Sequence, residues 1–561
     1  VRKTCNQCSA TFEITDDDLA FIEKVSPVFS GKKELIPPPT QCPECRMRRR
    51  FLHHNHRSIY RRASSWSKKP MISLYSPEKE LPVYEGEVWW GDDWDPTEFG
   101  RDVSFAEPFF AQWQALHRVV PRLGLIGFSN ENSEYVNHSG WDKNCYLCFC
   151  VDHSEDCLHC SSVYYSKNVA DSLYCRTAER CYECVDCNEC NNVLFSHNAQ
   201  NCSDSAWLDD CVACRNCVCC AGLRHREFCW GNEQLSKEEF QRRYQALFPM
   251  TPDTIRTMRQ QTEELSLSRF KQHAVGVGNE ESSGDYLFHS KHAEACFDSA
   301  DLESSKFCTN MRGAKDCVHV NYWGHPGELC YEGFGVGEGS QRVLFCGACW
   351  DATSDILYCD TCIHCRDCFG CIGLRHKRYC ILNKQYSKEE YEALVPRLIA
   401  HMRQSGEWGE YFPPALSIFA YNETVAQEYF PLTKEEVLER GWKWREETDE
   451  MPKVSKVIPA AKLPSSIDDV PDDILNWAIE CEATKRPFKI IKQELEFYRM
   501  MGLPIPHFHP DERHRRRMAQ RNPRKLWKRN CAKCGNSIMT SYAPERPEKV
   551  VCEACYLKEV Y

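Results

Sequence analysis

No stretch of this 561-residue chain reaches the roughly 18 consecutive apolar residues that a membrane-crossing helix needs. The N-terminal segment VRKTCNQCSATFEITDDD lacks the succession of basic, apolar and small residues that marks a secretory leader. Strong catalytic signatures are also missing. The glycine-rich FGVGEG (334–339) has neither the Lys-Ser/Thr ending nor the strand–helix setting of a phosphate loop, and reads as a loop where repeats were lost. Cations are in deficit: 70 Lys and Arg against 81 Asp and Glu give a formal charge of −11, which excludes a uniformly basic nucleic-acid coat.

What is plentiful is cysteine, with 38 residues. In a short exported chain these would form a disulfide framework. In a long chain without a leader they read as thiols and metal thiolates in a reducing cytoplasm.

Much of the chain is written twice. CVACRNCVCCAGLRHREFCWGNEQLSKEEF (211–240) matches CIHCRDCFGCIGLRHKRYCILNKQYSKEEY (362–391) at an offset of 151, and the match extends back through Cys145 with Cys296 and Cys157 with Cys308. Both copies run into helices opened by Ser and, three residues later, Glu, a capping-box pattern. Thr433 and Glu436 suggest a further helix start. A second duplication joins the two ends at an offset of 467, with 46–79 aligned on 513–546.

Two metal sites follow from spacing. CNQC (Cys5, Cys8) and CPEC (Cys42, Cys45) are knuckles separated by 33 residues, and CAKC (Cys531, Cys534) and CEAC (Cys552, Cys555) by 17. Each short turn supplies two thiolates, and two turns close a tetrahedron around Zn²⁺. The copies divide the labour: Cys481, Thr484, His509 and Glu512 replace the first set, with His507 or His514 as candidate substitutes, while Ser64 and Ser67 stand where Cys531 and Cys534 do. Sites built from four cysteines leave no open position, so both are expected to be structural.

The step-three rows, Cys211, Cys214, Cys217 and Cys220 with Cys362, Cys365, Cys368 and Cys371, allow two readings, packed thiols or a second metal set. Valine favours packing, because Val169, Val193 and Val320 share the twelve-residue spacing of Cys145, Cys157, Cys181, Cys296 and Cys308. The rhythm of SEDC, AKDC and SKNV then suggests stacked coils of a parallel β-solenoid, capped by the adjoining helices. The row Cys181, Cys184, Cys187 and Cys190 is expected to dissolve into EGFGVGEGSQ (332–341) in the later unit.

Other polar groups carry weaker signals. HHNH (53–56) reads as an exposed loop, and Asp92, Asp93 and Asp95 of GDDWD as solvated carboxylates. Arg224-His225 and Arg375-His376 recur beside the Cys rows, where they suit acid–base or redox work. The end modules carry matched basic strips: Arg46, Arg48, Arg49, Arg50, Arg57 and Arg62 pair with Arg513, Arg515, Arg516, Arg517, Arg524 and Arg529, each with an aromatic between, Tyr60 or Trp527. Guanidinium groups grip phosphate and an aromatic ring stacks on a base.

The motifs CPECRMRRR, SLYSPEK, WWGDDWDP, NCYLC, NKQYSKEEY, GEWGEYFPP, AYNET, PFKIIKQELEFYRMMGLP, NPRKLWKRNCAKC and YAPERPEKVVCEACYLKEVY span the chain. On them the chain resembles a group of uncharacterised zinc-ribbon proteins from candidate-phyla (Parcubacteria-like) bacteria. The resemblance implies a bacterial cytoplasmic protein and carries over no activity.

The expected architecture is mixed and multi-domain. An N-terminal zinc-ribbon module (1–90) and a helical, aromatic connector (91–137) precede the first Cys-rich solenoid-like unit (138–232). A helical segment (233–288), the second such unit (289–383), another connector (384–476) and a C-terminal zinc-ribbon module (477–561) follow. The expected function is zinc-stabilised nucleic-acid binding, RNA ahead of DNA, through the basic strips and without catalysis. The alternatives are a protein–protein scaffold and an iron–sulfur redox protein using the Cys rows, an enzyme-class reading.

Overall fold

The computed structural model describes residues 1–172, 182–323, 325–446 and 453–561; Cys181 lies outside them. Two ladders of parallel strands organise a mixed α/β chain. One runs from Gly127–Phe128 to Glu227–Trp230, the other from Gly276–Val277 to Arg378–Ile381, and each closes with an antiparallel hairpin.

Register explains the periodic cysteines. In the first ladder Phe149 pairs with Ser161, Val193 with Ser205, and Cys217 with Cys229, so the backbone returns to its own flank every twelve residues. The second ladder keeps that step at its ends, Gly284 with Cys296 and Cys368 with Cys380. Its middle widens to thirteen, Val318 with Tyr331 and Val343 with Ile356. The FGVGEG segment is not a place where repeats were lost. Tyr331–Phe334 and Ser340–Leu344 are ladder strands, and the segment joins them.

From His138 to Asp171 every third residue holds a positive φ between 51° and 60°. The left-handed region is unfavourable for most side chains, and Asn and Asp tolerate it best. This accounts for the Asn or Asp before so many inward cysteines, as at Asn144-Cys145 and Asp156-Cys157. The residue after each such corner faces inward: Cys145, Cys148, Val151 and Ser154 are all buried, and so are Cys157, Cys160, Val163 and Ser166 on the next turn of chain. The thiols donate to nearby carbonyls, as Cys148 Sγ does to Cys157 O at 3.3 Å and Cys365 Sγ to Leu374 O at 3.4 Å.

Helices cover the flanks. Ser236 caps Lys237–Gln245, and full capping boxes start Lys388–Ser405 at Ser387 and Lys434–Glu439 at Thr433. The two end modules share their element order at the 467-residue offset. Helix Pro43–Phe51 corresponds to Pro510–Met518, and hairpin Tyr60–Ala63/Pro70–Ser73 to Trp527–Asn530/Ser537–Thr540. HHNH is not an exposed loop: His54 and His56 are buried, and the His54 ring stacks on Phe334 of the second ladder with centroids 3.5 Å apart. No helix of the described residues is long and apolar enough to cross a membrane.

Burial predicts thiol chemistry. In the native protein an aromatic disulfide reagent should modify only a small accessible set, with Cys8 and Cys534 the most exposed. The ladder thiols should react once denaturant is added. Rapid reaction of most thiols without denaturant would contradict a packed thiol core.

Candidate metal centres and the arginines around them

In the N-terminal module, strand Arg2–Thr4 delivers Cys5 into a tight turn, closed by Cys5 N donating to Ala10 O at 2.9 Å and Ser9 N to Cys5 O at 3.0 Å. Ser9 takes φ 60° to make that turn. Cys42 caps helix Pro43–Phe51, and Cys45 lies in its first turn. The four Sγ atoms all lie within 4.8 Å of one another, with Cys8 and Cys42 at 3.7 Å. The C-terminal module repeats the arrangement. Cys531 and Cys534 flank a turn closed at Gly535 (φ 76°), Cys552 caps helix Glu553–Val560, and Cys534 and Cys552 are 3.8 Å apart.

A tetrahedral Zn²⁺ with bonds of about 2.3 Å holds its sulfurs about 3.8 Å apart, so both groups suit such an ion. Within each group one thiol is held low while neighbours, Cys8 and Cys45 in one and Cys555 in the other, are pushed up by burial and by the adjacent thiols. Hydrogen bonding from Cys45 is the main influence holding the Cys42 thiol at about 5. Around Cys531 burial opposes ionisation, but the Cys534 and Cys552 amides, at 3.5 and 3.3 Å, bring its pKa to about 6. Two four-cysteine groups that fit a metal ion such as zinc therefore sit at the two ends of the chain.

The counterpart half of each module has lost its ligands in a readable way. Ser64 Oγ accepts from the amides of Trp66 and Ser67 at 3.0 and 3.3 Å and donates to Glu85. Glu85 caps helix Gly86–Trp90 where the other module has Cys552, and Val88 replaces Cys555. A hydrogen-bonded hydroxyl and carboxylate thus close the turn where the other module brings its cysteines together. Glu85 and Val88 were legible at the same offset that exposed Ser64 and Ser67. In the other copy, Cys481 Sγ accepts from Thr484 N at 3.5 Å, His507 faces Glu482, and Glu512 binds Arg515 and Arg516. His514 faces Glu428 at 3.7 Å and supplies no replacement ligand.

Among the described residues, no other three His, Cys, Asp or Glu side chains bring their ligand atoms within 4.8 Å of one another. The step-three rows, from Cys211 to Cys220 and from Cys362 to Cys371, are buried thiols and form no such group. The carboxylates of GDDWD form none either; Asp95 instead caps Thr97 and pairs with Lys377 at 2.9 Å. The recurring Arg-His pairs have structural partners: Arg224 meets Asp210 and the Tyr556 ring, and Arg375 donates to Gly91 O beneath Trp89 and Trp94.

Most side chains of the basic strips meet other groups of this chain, several of them carboxylates. Arg46 and Arg50 both grip Glu332 of the second ladder, and each has a further partner, Tyr331 Oη at 2.7 Å and Asn321 Oδ1 at 2.8 Å respectively. Arg49 reaches Glu410 at 2.6 Å. In the other module, Arg513 and Arg517 grip Asp171 of the first ladder at 2.6 and 3.1 Å. Arg513 also donates to Tyr498 Oη at 3.0 Å. Arg524 binds Asp298 at 2.8 Å and lies over Tyr429. Arg57 donates to Ser161 and covers Phe149, and Tyr60 donates to Glu423.

Arg62 and Arg529 donate to carbonyls inside their own modules, and Arg48 lies between Cys45 and Trp442. Arg515 and Arg516, paired with Glu512, keep most contact with solvent, and Trp527 is half-buried beside Lys525.

No protein-family model matches the chain, and no curated protein matches it. Among solved structures, a protein assigned as an acetyltransferase from Desulfovibrio desulfuricans G20 aligns at 8% identity, over 50% of this chain and 82% of that one. Its TM-score is 0.11, which supports no argument about fold or activity.

Glu332 offers a test of the arginine contacts. Burial works against its ionisation, but Arg46 and Arg50 outweigh it and hold its pKa at about 2, below the ordinary 4.5. Its contribution is therefore full above about pH 4.5 and is lost as pH falls through about 2. Glu332→Gln leaves two buried guanidinium groups without a counter-charge and should cost about 3–5 kcal/mol at pH 7 by denaturant titration. The gap to the parent protein should narrow as pH approaches 2. A loss below about 0.5 kcal/mol at pH 7 would contradict the assignment.

Proposed function

We propose that this chain is a non-catalytic protein–protein scaffold made of two Cys-cored β-solenoids, gripped by two end modules whose folds are stapled by zinc. The twelve-residue register, the left-handed corner at every third residue and the inward residue after each corner support a four-sided coil with one small side chain filling each side. On this reading the unit boundaries follow the duplicated sequence, and the chain sits with the zinc-ribbon proteins of candidate-phyla bacteria that it resembles, in the cytoplasm.

One observation carries the proposal. Helix Pro43–Phe51 begins at two metal-capable cysteines and ends with Arg50, fully buried, on Glu332. Ion, helix and ladder form one mechanical unit, so the ion's role is to hold the clamp. Nucleic-acid binding through the same strips would require these guanidinium groups to be free, and their internal pairing favours the scaffold. The iron–sulfur reading would require the row thiols to converge as ligands, and their packing favours a core.

Protein purified anaerobically without chelator should contain about two Zn per chain and no Fe. It should also show no absorbance from nucleic acid that high salt removes. Stoichiometric Fe, four or more metals per chain, or salt-released RNA or DNA would overturn the proposal.

A further inference from the structure

The two ladders end alike in backbone but differ in what covers them. Each closes with the same hairpin, Trp230 against Glu233 and Ile381 against Lys384. In each, an asparagine clamps the turn of chain beneath it. Asn232 accepts from Ala221 N at 2.9 Å and donates to Ala221 O at 2.8 Å; Asn383 does the same with Ile372 at 2.7 and 2.8 Å.

Across the second ladder's end lies an acidic segment, residues 95–103, in which Pro96–Phe99 form a 3-10 turn. Asn383 Nδ2 also donates to Pro96 O at 3.0 Å, and Arg101 N donates to Leu382 O at 3.0 Å. Asp95 pairs with Lys377 at 2.9 Å and Asp102 with Lys384 at 2.5 Å. Gly100 permits the close approach, since a Cβ there would stand 2.8 Å from Asn383 O. Beneath this cover Leu382 and Asn383 are 0% exposed.

The first ladder's end carries the same clamp, and no segment of the described residues bonds across it as 95–103 does on the second. Gly231, the counterpart of Leu382, is exposed, and Asn232 is half-buried. Arg226 keeps the cation found at Lys377, whereas Glu233 reverses the sign found at Lys384, and both are exposed.

We propose that the uncovered end of the first ladder is a docking site for a glycine-containing segment of another polypeptide, laid as residues 95–103, with their 3-10 turn, are laid on the second ladder. Charge complementarity requires an acidic residue opposite Arg226 and a basic one opposite Glu233. The inference gives the scaffold a partner class and rests on that reading only for its purpose. Its test is a binding measurement independent of metal content.

The probes are fluorescein-labelled peptides: DPTEFGRDV, its Asp102→Lys form and its Gly100→Val form, titrated with the full chain and followed by anisotropy. Saturable binding is expected. The Asp102→Lys peptide should bind at least about threefold more tightly than the parent, the gain of one exposed ion pair, and the Gly100→Val peptide should not bind. Arg226→Glu in the protein, a change at an exposed side chain that leaves the clamp intact, should weaken binding, and Asn232→Ala should do the same.

Absence of saturable binding at millimolar protein, or equal binding of the Gly100→Val peptide, would overturn the proposal. So would binding abolished by Lys384→Glu but unaffected by Arg226→Glu, which would place the peptide on the second ladder. Self-association lost on Arg226→Glu, without peptide binding, would overturn it too, by showing that a second copy occupies the end instead.

Discussion

A guanidinium withdrawn from water must find a carboxylate, and that requirement fixes how the parts of this chain sit together. Arg50 is 0% exposed and Glu332 is 2% exposed, and neither can separate without leaving an uncompensated buried charge. The pair at Asp171 and Arg513 imposes the same constraint at the other end. The N-terminal module is thereby tied to the second ladder at Glu332 and to the first at Ser161, and the C-terminal module to the first at Asp171 and to the second at Asp298, so the end modules bridge both ladders. Such charge pairs are strong in geometry and specificity even where their net stabilisation is modest.

The cysteines do two kinds of work, decided by local backbone. Where a tight turn and a helix start converge, four thiols approach to the spacing of a zinc tetrahedron. Where the chain turns every three residues, one inward side chain is allowed per turn, and a thiol is small, apolar and able to donate to a carbonyl. Valine, serine and alanine serve at equivalent positions, which a ligand set would not tolerate.

Much of this was legible in the sequence, for physical reasons that can be named. Cys-x2-Cys knuckles are local, so Cys5, Cys8, Cys531 and Cys534 announced themselves. The exchange of Cys with Val169 and Val320 pointed to burial without any structure. The arginine partners were hidden, because Arg46 and Glu332 are 286 residues apart and nothing near Arg46 marks its helix face as buried. HHNH reads as exposed for the same reason: its counterpart Gln520-Arg521-Asn522-Pro523 shows the sequence drift, not the Phe334 ring of the second ladder on which His54 stacks. The thirteen-residue steps around Tyr331 were concealed by glycines that imitate a loop.

The central claim is that metal, cluster helix and arginine contact act as one clamp. Amide hydrogen exchange, followed peptide by peptide before and after a strong chelator removes metal, tests it most directly. The account predicts that helix 43–51 loses protection together with the ladder strands Val318–Trp323 and Tyr331–Phe334 that it grips. Protection of helix 43–51 that persists after the metal is gone would contradict the account.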